Sequence, residues 1–177
     1  MLFFPKELKF MIREAILMDC SRMAEIHVFG WRCAYKEFIS MEFLFNKFTV
    51  KNREEKFKEY LSNTNNSDKT YIFEENNIVK AFMSIGNCRD EDKNEDAFEL
   101  EGIYVDPIFQ RQKIGTQFVN YCIGEAKSKN KKEITLWVFE KNNDSIKFYE
   151  RIGFKTDGKT KMMEAFKEKA IRMNKIL

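Results

Sequence analysis

Three groups of residues have the types and spacing to do chemistry. Gln110, Arg111, Gln112, Lys113, Ile114, Gly115 and Thr116 make a basic, glycine-containing stretch at the start of an apolar stripe of helical period. A helix start carries free N–H groups and a partial positive charge, so a tight turn feeding one suits a phosphate. Arg111 and Lys113 would strengthen such a site. The same stretch also fits a plain strand–turn–helix connection with surface cations, and spacing alone leaves both readings open. Glu99 and Glu101 form the second group. Alternate strand positions share a face, so the two carboxylates are expected on one side, with Ile103 and Val105. The third is Tyr149 in SIKFYERI, a short helix from which a phenol can point back at a ligand between two strand ends.

The elements that must hold these groups can be read from local signals. The run through Ile103, Tyr104 and Val105 predicts a strand that stops at Asp106-Pro107, because proline cannot donate to a ladder. Ile114, Phe118, Cys122 and Ala126 recur every fourth residue, which predicts a helix. ITLWVFE reads as a buried strand. Asn142, Asn143 and Asp144 are candidate N-caps for the short helix, and Gly153 stands where a left-handed C-cap would.

Upstream, FMIREAIL at 10–17 predicts a strand, and Asp19 is a candidate N-cap. Met23, Ile26, His27, Trp31, Ala34 and Tyr35 predict an amphipathic helix. Residues 41–61 predict a short helix, a turn near 49–52 and a second amphipathic helix. SNTNNSD reads as a loop, and the segment from Tyr71 to Cys88 as a hairpin about Glu75-Asn76-Asn77. RDEDKNED at 89–96 reads as a solvated charged loop without function. The tail is ambiguous: MMEAFKEKAIRMNKIL has helical propensity, and a final strand is expected around 170–173.

The block from 98 to 156 resembles motifs A and B of the GNAT superfamily of acetyl-CoA-dependent N-acyltransferases. The family's pyrophosphate signature, Gln/Arg-x-x-Gly-x-Gly/Ala, is matched by Gln110 to Gly115 with Lys113 in place of the first glycine. The second motif is matched by Trp137-Val138, Asn142, Phe148-Tyr149 and Gly153-Phe154. The resemblance implies an α/β (α+β layered) fold. Its mixed, mostly antiparallel central sheet would have about six or seven strands, with helices on both faces and a splay between strands near 98–105 and 132–139. It implies acetyl-CoA or coenzyme A as cofactor, with pyrophosphate at 110–116 and pantetheine along Ile103, Tyr104 and Val105. Asn142 and Ser145 would lie on the cofactor as well. Tyr149 would protonate the departing thiolate, and Glu99 or Glu101 would serve as base, with simple attraction of a cationic acceptor as the alternative. Trp31, Tyr35, Phe38 and His27 would line the acceptor pocket or belong to the core.

Composition bounds the rest. A chain of 177 residues is expected to form a single domain over 11–177, with residues 1–10 an extension or the lead-in to the first strand. A formal net charge of +3 is too small to imply nucleic acid. No apolar run approaches the roughly 20 residues that span a bilayer. One histidine and four scattered cysteines give no metal cluster and suggest buried thiols in the cytoplasm. The expected function is transfer of acetyl to a primary amine of a small molecule, polyamine-like or otherwise cationic, by direct attack in a ternary complex. The alternatives are a binding or regulatory protein without turnover, or acetylation of a peptide amino group. A homodimer is left open beside a monomer.

Overall fold

The computed structural model describes residues 10–63, 65 and 67–177. Seven strands and four helices follow in the order β1 (Phe10–Glu14), α1 (Cys20–Tyr35), α2 (Val50–Ser62), β2 (Lys69–Glu75), β3 (Ile78–Asn87), β4 (Ala97–Val105), α3 (Ile114–Ser128), β5 (Glu133–Phe139), α4 (Asn143–Arg151), β6 (Lys155–Met163) and β7 (Glu168–Ile176). Of the expected extension at 1–10, residues 1–9 lie outside the described residues and Phe10 begins β1. No helix among the described residues is long and apolar enough to cross a membrane.

The strands form one mixed sheet in the order β1-β2-β3-β4-β5-β7-β6. Every neighbouring pair is antiparallel except β4 and β5, which run parallel. α3 joins that parallel pair, as such pairs require a crossover. Its predicted stripe of Ile114, Phe118, Cys122 and Ala126 is buried against Phe98, Leu100, Ile134 and Leu136 on one face of the sheet. The other face packs Met23, Ala24 and Ile26 of α1 and Phe57 of α2 against Ile72 and Phe82. The tail is sheet rather than helix: β7 pairs with β5 on one side and β6 on the other, and this double pairing overrides local propensity.

β4 and β5 pair only over Ala97–Glu99 and Glu133–Thr135. Beyond that they diverge, leaving the edge of β4 from Leu100 onward without a strand partner on the β5 side. β4 also carries a bulge. Gly102 pairs with Ser84 and Leu100 with the next residue, Ile85, so Glu101 is the extra residue. The bulge corrects the expected alternation. Leu100 and Ile103 both face the α3 layer, which puts Glu99 and Glu101 on the opposite face, with Tyr104.

Two further expectations are corrected. Asp19 stands at the N-cap position of α1 without capping it. Its carboxylate instead accepts from the Ile16 N–H at 2.8 Å and from both Arg13 Nη atoms at 2.8 and 3.0 Å, tying β1 to the helix start. The loop at 89–96 is not a wet appendage. The Arg172 guanidinium of β7, 4% exposed, holds Asp90 at 3.0 Å and Asp92 at 2.6 Å, together with Asp157 at 2.7 Å. Trp137 Nε1 donates to Asp90 at 3.1 Å, and Lys93 pairs with Glu133 at 2.8 Å. Arg172→Met should remove the shared cation of these three carboxylates and cost about 2–4 kcal/mol. Thermal unfolding followed by circular dichroism should then fall by roughly 5–15 °C, and a drop of under about 2 °C would show that the clamp is not structural.

Candidate active site

The basic turn opens onto a cavity of about 570 Å³ lined by Gln110, Arg111, Lys113, Ile114, Gly115 and Thr116 on one side and by α4 on the other. Gln112 does not line it. Arg111 and Lys113 both sit at φ 63°, the left-handed region. Lys113 is the N-cap of α3, so it takes up the backbone shape that a glycine there would adopt freely, and the substitution leaves the turn intact. Gly115 is needed for a different reason. A Cβ there would stand 3.0 Å from the Phe148 ring, so its absence lets α4 pack on the first turn of α3. Arg111, Lys113, Lys147 and Arg151 face this cavity with one acid, Asp144, and none of the four makes an ion pair among the described residues. Four free cations around a helix start fit a ligand carrying several phosphate charges.

A second cavity, of about 1090 Å³, lies beyond the first, and both are lined by Ile103, Ser145 and Tyr149. They meet where β4 and β5 part. Asn142 Oδ1 caps α4 by accepting the Ser145 N–H at 3.2 Å, which aims the helix at this junction. Tyr149 is buried, its ring 5.6 Å from Phe154 and 5.1 Å from Phe148. Burial, then the nearby Tyr104, push its phenol above the ordinary range. Burial raises the Tyr35 phenol too, with Tyr104 and Tyr149 adding to it and the Asn142 side chain opposing them. Three phenols thus converge on one spot. Tyr104, expected on the cofactor, lines the second cavity and not the first.

Glu99 and Glu101 line the second cavity under Arg89, whose Nε is 3.3 Å from Glu99 and whose Nη2 binds Glu101. Burial pushes the Glu101 carboxyl up to about 7, with Asp68 and Glu99 adding and Arg89 opposing. His27, Trp31 and Tyr35 line the same cavity. Phe38 does not: it packs behind the wall, 5.5 Å from Tyr35 and 5.8 Å from Phe139. His27 is buried with neither ring nitrogen hydrogen-bonded, its centroid 4.2 Å from Tyr104. Burial, with Arg53 adding, holds its pKa well below the ordinary value, so the imidazole is neutral. Sequence reading missed Arg53, Arg89, Asp90 and Trp137, all of which line this cavity. The signal for Arg89 and Asp90 was a charge run indistinguishable from a solvated loop.

The model of the acetyltransferase (GNAT) family matches residues 31–154, which takes in the end of α1, the carboxylates, the basic turn and Tyr149. The chain belongs to the GNAT family. It is therefore a member of a family of acetyl-CoA-dependent acetyltransferases. The uncharacterized N-acetyltransferase YuaI of Bacillus subtilis is 31% identical over 78% of this chain and 76% of its own length. The uncharacterized N-acetyltransferase MJ1207 of Methanocaldococcus jannaschii is 41% identical over 56 residues, so the match spans 32% of this chain and only 25% of that relative. Among solved structures, the PaiA N-acetyltransferase of Thermoplasma acidophilum, in complex with coenzyme A, superposes with a TM-score of 0.76. It covers 96% of this chain and all of that one at 20% identity, a likeness of fold.

In the GNAT turn the lysine carries a cost and a charge that can be separated. A non-glycine residue in the left-handed region costs about 1 kcal/mol. Lys113→Gly should raise the melting temperature by roughly 2–4 °C in the absence of ligand and weaken coenzyme A binding by about 2- to 5-fold through the lost cation. Differential scanning fluorimetry and calorimetric titration read the two effects. Unchanged affinity would show that the Lys113 ammonium does not reach the ligand.

Proposed function

We propose that this chain transfers the acetyl group of acetyl-CoA to the primary amine of a small molecule in the cytoplasm, by direct attack in a ternary complex. The observation that carries the reading is the meeting of a cation-rimmed cavity and a carboxylate-bearing one at Ile103, Ser145 and Tyr149. The free edge of β4 from Leu100 to Val105 suits a pantetheine arm added like a strand, because its backbone polar groups need a partner. Arg111, Lys113, Lys147, Arg151 and the start of α3 would hold the phosphates. Acetyl-CoA supplies the acetyl group as an activated thioester.

The residues then divide the proton work. An alkyl ammonium has a pKa of about 10.4, and an ordinary glutamate of about 4.3 would take its proton with great difficulty. Raising the Glu101 carboxyl to about 7 lowers that thermodynamic barrier by about 4 kcal/mol. Glu101 is therefore the base favoured over Glu99. As the nitrogen–carbon bond forms and the carbon–sulfur bond breaks, the Tyr149 phenol gives its proton to the thiolate. Burial keeps the proton on the phenol beforehand, and the same burial raises the proton affinity of the developing thiolate, so the two stay matched.

Coenzyme A should raise the melting temperature in a dose-dependent way, and free-thiol release should follow when amines are added. Tyr149→Phe should lower kcat about 10²-fold while leaving coenzyme A affinity within a factor of about two; equal loss of both would reduce Tyr149 to packing. A thermal shift with no release from any amine would favour a binding protein.

The rising limb of kcat/KM should have an apparent pKa near 7 and should vanish in Glu101→Gln. The folded state binds the Glu101 proton more tightly than the unfolded chain does. This group therefore makes stability decline as pH rises from about 4.3 toward 7. In Glu101→Gln that part of the decline should be missing from urea titrations across this range. A limb unchanged in Glu101→Gln would pass the role to another group.

A further inference from the structure

The second cavity carries charges of both signs, and its half-buried arginine Arg53 makes no ion pair among the described residues. Arg53 of α2 lines it, with Cζ 5.3 Å above the Phe48 ring and 5.0 Å above the Phe57 ring. Its Nε is buried and unpaired, and no carboxylate among the described residues lies within ion-pair distance of it. The other buried cation of the wall, Arg172 behind Asp90, has three aspartates, and Arg89 has Glu99, Glu101 and Asp68. Beside Arg53 stands His27, 6% exposed, neutral, with both ring nitrogens unpaired. A half-buried guanidinium stacked on two rings next to an orphaned imidazole is costly unless something completes it. Arg53, Glu101 and Tyr104 line one and the same cavity, and both charges lie near enough to the Tyr104 phenol to act on it.

We infer that the acceptor carries an acidic group as well as its amine, so that Arg53, supported by His27, takes a carboxylate while the amine lies toward Glu101. This rests on the acetyltransferase reading above and narrows its acceptor class to amino acids or ω-amino acids. The guanidinium fork matches a planar carboxylate. A polyamine would set a second ammonium against Arg53, and two like charges near 4 Å repel by about 1–4 kcal/mol.

The test uses the full chain with two readouts. Thiol release at saturating acetyl-CoA compares glycine, β-alanine and longer ω-amino acids with alkylamines and diamines of matched length. Calorimetric titration of the same compounds into the coenzyme A complex reports acceptor binding whether or not transfer occurs. A carboxylate-bearing acceptor should be favoured at least about tenfold in kcat/KM or affinity. Arg53→Gln should raise its KM about 10- to 100-fold, a loss at least tenfold larger than for the carboxylate-free partner, and Arg53→Lys should recover part of it. The coenzyme A thermal shift, read at the other cavity, checks that each variant is folded. Tight binding of the amino acid, lost in Arg53→Gln but without thiol release, would support this inference and overturn the transferase reading. Preference for alkylamines or diamines, or an equal effect of Arg53→Gln on both kinds of acceptor, would overturn the inference. Preference for O-phosphoethanolamine over β-alanine would do so too, since it would make the subsite one for phosphate.

Discussion

β4 and β5 are parallel partners for three residues and then separate. A sheet cannot leave backbone N–H and C=O groups unpaired in its interior without penalty. The parting is tolerable only where water or a ligand can complete the edge, and the rest of the site is arranged around the opening. On one face α4 wedges Tyr149 against the junction, fixed by the Asn142 cap and by the close packing that Gly115 permits. On the other face the bulge at Glu101 twists β4 away and turns two carboxylates into the opened space. The segment carrying Arg89 and Asp90 closes that space from above, clamped by Arg172.

The parts of this design that depend on near neighbours in the chain were legible in the sequence. The stop at Asp106-Pro107, the four-residue stripe of α3, the Asn142 cap and the left-handed Gly153 each follow from the chemistry of a few adjacent residues. The splay and the helices on both faces were instead implied by the resemblance of the two motifs to the GNAT family. In the tail, helical propensity competed with pairing. Partners on both sides of β7 decided for the strand, and they could not be weighed from the tail alone.

What was not legible is non-local. The side of β4 on which Glu99 and Glu101 lie depends on one extra residue in the ladder, and strict alternation gives the wrong face when that residue is unseen. Asp19 has the type of a helix cap, yet Arg13, Ile16 and the strand beside them claim its carboxylate. The acidic loop has the composition of a solvated turn and becomes a wall because distant residues tie it down, chiefly an arginine eighty residues away that collects Asp90 and Asp92. Arg53 looked like any cation on an amphipathic helix. What sets it apart is that no carboxylate among the described residues pairs with it while two rings hold it in place.

The position of β7 has a consequence for how the molecule comes into being. Synthesis runs from β1 onward, and all residues of the smaller cavity, from Ile103 to Arg151, are made before β6 and β7. β7 pairs with β5 on one side and β6 on the other and brings Arg172, which anchors the roof of the larger cavity. A growing chain thus contains every residue of the smaller cavity before it contains those that finish the larger one. The larger cavity is complete only with Lys161, Met163, Phe166 and Ala170, which β6, β7 and the turn between them supply.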